Sequence, residues 1–185
     1  SFSEEKASGT FELLLTKPLS PWEIYLGKFL GVLIVFSIAL APTIIHLIAI
    51  ESLLEPNSSL DLGSLSGSYL GLILISLLFM AISMLGSLLF KNQVASFLVA
   101  VLACFTHFYL WAFLADFTTN NLLYKIIGEI GIQAHYLSIS RGVLTLKTIL
   151  YFIGFLSALS LLGIQFIQKK ESALRGIKTP LLLLL

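Results

Sequence analysis

Four apolar stretches, at 29–50, 68–90, 94–114 and 149–167, dominate the chain, and none of them contains Asp, Glu, Lys or Arg. Each is long enough to cross a bilayer as a helix, which takes about 20 residues at about 1.5 Å of rise per residue. A charge near the bilayer centre costs at least about 2.5 kcal/mol, so ion-coupled carriers and proton pumps keep a few for a purpose. These stretches keep none. The pattern predicts an all-α integral membrane protein with four transmembrane helices, its membrane domain spanning 21–179.

The first helix starts ahead of its apolar run. Ser20, Pro21 and Glu23 fit an N-cap, an N1 proline and the N3 acid of a capping box, so the helix covers about 21–50. Trp22 and Tyr25 suit the interfacial belt, and Lys28 can reach headgroups along its alkyl stem. Pro42 predicts a kink and a freed carbonyl that a neighbour must satisfy. Gly27 and Gly31 form a small-xxx-small pair, either a close helix approach or a chance spacing.

The polar connections carry their own periodicities. Lys91, Asn92 and Gln93 make a minimal turn, pairing 68–90 and 94–114 as an antiparallel hairpin. In the long connection 115–148, Leu122, Leu123, Ile126, Ile127 and Ile130 recur at helical spacing while Lys125 and Glu129 sit four apart on another side. That predicts a short interfacial helix, with Gly128, Gly131 and Gly142 separating a second short piece before 149. Residues 180–185 are too short to span and read as an irregular tail. At the other end, Glu4, Glu5 and Glu12 share residues 1–20 with Phe11, Leu14 and Leu15, so a helix there has a charged face and a greasy edge. Such a segment suits contact with another protein at the membrane surface.

Composition and charge narrow the class. The chain is 57% hydrophobic and 11% charged, with mean hydropathy +0.98, well above a soluble domain of 185 residues. Its net charge of +1 offers no basic excess for nucleic acid. With residues 1–20 cytoplasmic, eight basic residues fall on inside segments (Lys6, Lys17, Lys28, Lys91, Lys169, Lys170, Arg175, Lys178) and three outside (Lys125, Arg141, Lys147). The excess predicts a multi-pass protein of the cell (inner) membrane with both ends of the fragment cytoplasmic. The first outside connection, 51–67, accordingly carries Glu51, Glu55 and Asp61 and no base.

Candidate chemistry is sparse. Gly27-Lys28-Phe29 lacks the hydroxyl and upstream glycine of a phosphate-binding loop, and no histidine stands beside an acid at metal-ligand spacing. His46 and His107 lie within spans, where a neutral imidazole bonded to a neighbouring helix competes with a cavity-lining role. Ser76, Ser83, Ser87, Ser157 and Ser160 read as hydrogen-bonding glue, because no base is placed to activate them. Cys104 sits in an apolar run as a small hydrophobe. The expectation is a chain without catalytic, cofactor or metal site of its own, and with no nucleic-acid partner.

Taken together, EEKASGTFELLLTKPLSPWEIYLGKFLG resembles the cytoplasmic signature that precedes the third helix in permeases of type-2 ATP-binding-cassette exporters. The pattern falls on Glu4, Glu5, Gly9, Thr10, Glu12, Leu14, Leu15, Pro18, Gly27 and Lys28. GIQAHYLSISRGVL, with Gly131, His135, Tyr136, Ser138, Arg141 and Gly142, resembles the outer loop before the last helix, in the version of the gliding-motility-associated GldF-type permeases. Where that type has acids after its Arg-Gly, this chain has Thr145 and Thr148.

The resemblance implies the last four of six membrane helices, preceded by a cytoplasmic amphipathic coupling helix. It implies that Glu4, Glu5, Gly9, Thr10, Glu12, Leu14, Leu15 and Pro18 face a separate ATPase subunit that holds ATP and magnesium. A second permease copy or related permease would complete the exporter, in the lipid bilayer. His135, Tyr136, Arg141 and Gly142 would form an outer-loop motif, either guarding the exit or pinning the interfacial helix. The alternative is a non-transporting membrane scaffold or assembly subunit that docks a cytoplasmic or motility partner.

Overall fold

The computed structural model describes the backbone of residues 1–54 and 60–182, and side chains up to 174. Among the described residues the chain is all helical: α1 (Phe2–Ala7), α2 (Thr10–Leu15), α3 (Pro21–Leu53), α4 (Leu62–Leu89), α5 (Gln93–Asp116), α6 (Asn121–Ile130), α7 (Ile132–Ser140) and α8 (Leu146–Leu182). Four of them, α3, α4, α5 and α8, are long and apolar enough to cross a membrane. Their directions alternate. One end of the bundle therefore gathers α1, α2, the start of α3, the α4–α5 turn and the late part of α8; the other gathers α6 and α7. Glu55 lies outside the described residues.

Local chemistry sets the helix ends. Ser20 caps α3, its hydroxyl accepting from the Glu23 amide at 3.3 Å while the Glu23 carboxylate accepts from the Ser20 amide at 2.7 Å. Asn92 caps α5 through Val94 and Ala95, and Asp61 caps α4 through Gly63 and Ser64. That Asp61 cap starts α4 six residues ahead of its purely apolar run, bringing Gly63, Gly67 and Gly71 onto one helix face. There α7 crosses closely: a Cβ at Gly67 would lie 2.2 Å from the Ile139 carbonyl oxygen, and one at Gly71 would lie 3.0 Å from the Tyr136 ring.

Helix α4 is the centre of the bundle, with 44% of its apolar window buried, whereas the window of α3 has none buried. Two cores result. At the α1–α2 end, Phe2, Phe11 and Leu15 pack with Ile24 and Tyr25 of α3, Met84 and Leu88 of α4, and Ile164 and Ile167 of α8. At the other end, Ile75 and Leu78 of α4 pack with Ile132 and Ile139 of α7 and Phe152 of α8.

Several sequence expectations are corrected. The segment read as one coupling helix is two six-residue helices, because Gly9 at φ 74° ends α1 in the left-handed region that glycine adopts without cost. Helix α8 continues to Leu182, so residues 180–182 of the supposed irregular tail are helical, and 183–185 lie outside the described residues. His46 bonds the carbonyl of Pro42 in its own helix at 3.2 Å and not a neighbouring helix. Gly27 and Gly31 have nothing within 4 Å of an added Cβ, so no close helix approach uses them here.

Candidate functional site

The α1–α2 unit is anchored by its greasy edge. Phe2 and Phe11 are about 1% exposed and meet edge to face at 5.7 Å between ring centres. Burying such side chains stabilises by about 1.5–3 kcal/mol each, and it orders two helices too short to persist alone. Leu15 completes the anchor against α3 and α8.

Charges extend the attachment to the membrane helices. Glu5 forms an ion pair with Lys28 of α3, and the Lys28 ammonium also lies 4.8 Å from the centre of the Phe2 ring. The Lys6 ammonium donates to the carbonyls of Ser87, at 3.4 Å, and Leu88, where α4 ends. Terminal helix carbonyls carry partial negative charge and lack helical partners, so a lysine there caps the helix. Lys170 of α8 lies 5.1 Å from the Phe11 ring centre. Burial, then the nearby Lys170 and Lys91, pushes the Lys6 pKa down to about 8.

The opposite edge of the unit is free of these contacts. Glu4, Gly9, Thr10, Glu12 and Pro18 are exposed, and Leu13 stands out at 65% exposure. Of the eight positions assigned to a partner interface, the structure therefore places those five outward and turns Glu5, Leu14 and Leu15 toward the protein. Leu13, which the sequence did not single out, is the one leucine of the Leu13-Leu14-Leu15 run facing out.

At the other end, His135 is buried and holds α7 to its neighbours. A carbonyl can only accept, so the contact of His135 Nε2 with Glu129 O at 2.9 Å places the proton on Nε2, and Nδ1 accepts from Thr148 Oγ1 at 3.4 Å. Thr145 lies 2.9 Å from Thr148, and the His135 ring stacks on Tyr151 at 3.9 Å. Beside it runs a second relay. Trp111 Nε1 donates to His107 Nδ1 at 3.3 Å, His107 Nε2 meets the Tyr151 hydroxyl at 3.0 Å, and that hydroxyl donates to Ile130 O at 2.9 Å.

Burial pushes the His135 pKa down, helped by Lys147 and opposed by its bond to Glu129. The Lys147 bond holds the Glu129 carboxyl below its usual range. Tyr136 seats its ring on Gly71 of α4, and Gly142 adopts φ 78° against Gly63. Arg141 is exposed and caps α7, its backbone N–H donating to Ile139 O. The motif thus brings together His135 and Tyr136 as packing groups, while Arg141 stands apart. Among the described residues no group of three or more His, Cys, Asp or Glu could hold a metal ion.

The family model described as ABC-2 family transporter protein matches residues 1–173. The chain belongs to that family. It is a membrane transport component, a permease, without a catalytic site of its own. No curated protein and no solved structure matches it. In this ABC-2 permease the match covers α1 and α2 as well as all the spanning helices down to residue 173, so the surface unit is part of the family domain.

Proposed function

We propose that this permease is the membrane half of an ATP-driven exporter and that α1 and α2 form its docking unit for a separate cytoplasmic ATPase. The observation that carries this is the two-sidedness of the unit. Its buried side is fixed to α3 through Glu5–Lys28, to α4 through Lys6, and to α8 through Phe11. Its free side offers Glu4, Gly9, Thr10, Glu12, Leu13 and Pro18. A push on the free side reaches three spanning helices at once. ATP and magnesium belong to the partner in this reading, and a second permease copy or related permease completes the path.

The charge-free spans favour hydrophobic, lipid-linked or bulky cargo. A role in gliding motility is the finer form of the proposal, supported by the resemblance over residues 131–142. In this chain the positions where that type carries acids are Thr148, bonded to His135, and Thr145, bonded to Thr148.

The test pairs full-length permease with its ATPase. Leu13→Asp combined with Glu12→Lys should weaken the complex at least tenfold and leave permease thermal stability unchanged. A complex that forms normally but shows no dependence on nucleotide favours the scaffold alternative.

A further inference from the structure

Helix α5 ends in an aromatic row. Phe105, Tyr109 and Phe113 follow at a spacing of four residues, so they share one face, and they are 62%, 49% and 58% exposed. The Phe105 and Tyr109 ring centres lie 4.8 Å apart. Along that row runs a groove of about 510 Å³, lined on its α5 side by these rings with Thr106 and Asp116, and on its α7 side by Gln133. Small-molecule sites typically enclose roughly 300–1,000 Å³. From Phe105 to Asp116 the helix rises about 16 Å at about 1.5 Å per residue, close to half of the ~30 Å hydrocarbon core. The groove therefore runs from the membrane–water boundary at the α6–α7 end toward the middle of the bilayer.

Its polar groups are all on one side of a charge balance. The Asp116 carboxylate, at the last residue of α5, enters no ion pair among the described residues. Gln133 Oε1 is buried without a hydrogen-bond partner, an unfavourable state for an acceptor kept from water. The terminal amide torsion of a glutamine is soft, so this oxygen can turn to a donor in the groove that its side chain lines. No basic side chain lines the groove to answer either acceptor. A complementary ligand carries N–H donors and positive charge at the Asp116 end and an apolar body along the rings, whose faces attract a cation within about 6 Å. A zwitterionic phospholipid matches less well, since its phosphate would meet Asp116 with no base in the lining to hold it.

We propose that this groove binds a single-chain amphiphile with a primary ammonium head, the ammonium on Asp116 and Gln133 and the chain along Phe113, Tyr109 and Phe105. Binding here needs no ATPase, so the site stands or falls separately from the export reading.

The test uses the full-length permease in phosphatidylcholine nanodiscs and dodecylammonium with a photoactivatable diazirine midway along its chain. Adducts are mapped by mass spectrometry and normalised to those on exposed Ile153 and Leu161 of α8. They should concentrate on Phe105, Tyr109 and Phe113, and dodecanol carrying the same diazirine should label these at least fivefold less. Asp116 is exposed, so Asp116→Asn should leave the melting temperature unchanged while lowering the amine adducts at least fivefold and sparing those of the alcohol. Dodecyltrimethylammonium has no N–H to give, and the preference for the primary amine over it should fall at least threefold in Gln133→Leu. Equal labelling by amine and alcohol, amine labelling that survives Asp116→Asn, a primary-amine preference untouched by Gln133→Leu, or displacement of the probe by phosphatidylethanolamine in the bilayer overturns the proposal.

Discussion

Removing the charge on Glu5 distinguishes a residue that faces a partner from one that welds the α1–α2 unit to the membrane helices. Glu5→Gln leaves the Lys28 ammonium half-buried at the head of α3, beside the Phe2 ring and without its counter-ion. Two unit charges about 4 Å apart attract by about 4 kcal/mol at an effective dielectric of about 20, and desolvation offsets much of this. The side chains of Lys28 and Glu5 are 24% and 29% exposed. That places the pair between exposed bridges, which contribute about 0–1 kcal/mol, and buried ones, whose breakage costs about 3–5 kcal/mol. The coupling should accordingly be about 1–2 kcal/mol. Unfolding of Glu5→Gln, Lys28→Met and the double variant in detergent measures it as a double-mutant cycle. A coupling energy below about 0.3 kcal/mol, within ordinary additivity error, would refute the weld and return Glu5 to the free surface.

Gly67→Ala should destabilise by about 1–3 kcal/mol, because the new Cβ meets the Ile139 carbonyl at 2.2 Å and the backbone of α7 must yield; Gly31→Ala, with open space around it, should be neutral or slightly stabilising in the same thermal assay. His135 has its pKa lowered from 6.5 in the folded chain, so the unfolded chain binds more protons in the window below that value. Its contribution to stability is complete above about 6.5 and is lost as pH falls through the folded pKa; melting temperatures at pH 5 and pH 7.5 should differ less in His135→Gln than in the parent chain. Phe11→Ala should cost about 3–5 kcal/mol by cavity formation and release α1 and α2 to rapid amide exchange, with α6 and α7 remaining protected.

The spanning helices were legible because a charge-free run of membrane length leaves few alternatives, and because Ser20, Pro21 and Glu23 encode the start of α3 locally. The short helix α6 was legible for the same local reason, the spacing of Leu122, Leu123, Ile126 and Ile130, and α7 from the glycines at 131 and 142 that bound it. What escaped was tertiary. The partner of Glu5 lies on another helix, at Lys28, and the partner of Glu129 lies beyond α7 at Lys147, so neither follows from helical spacing. The break at Gly9 had a signal in the Ser8-Gly9-Thr10 sequence, which suits a glycine-terminated helix followed by a new first turn. The spacing of Gly63, Gly67 and Gly71 was likewise on display, but only the close pass of α7 gives it meaning. Leu13 could be told from Leu14 and Leu15 only once the buried side of α1 and α2 was known.

A photo-crosslinking amino acid placed at Leu13 of the full-length protein in its native membrane tests the central claim, that a separate motor acts on the free side of α1 and α2. The expected result is a crosslink to an ATP-binding subunit whose yield changes with nucleotide, absent when the same group replaces buried Leu15. Labelling of position 13 from outside intact cells, or a crosslinked neighbour that binds no ATP, contradicts the account.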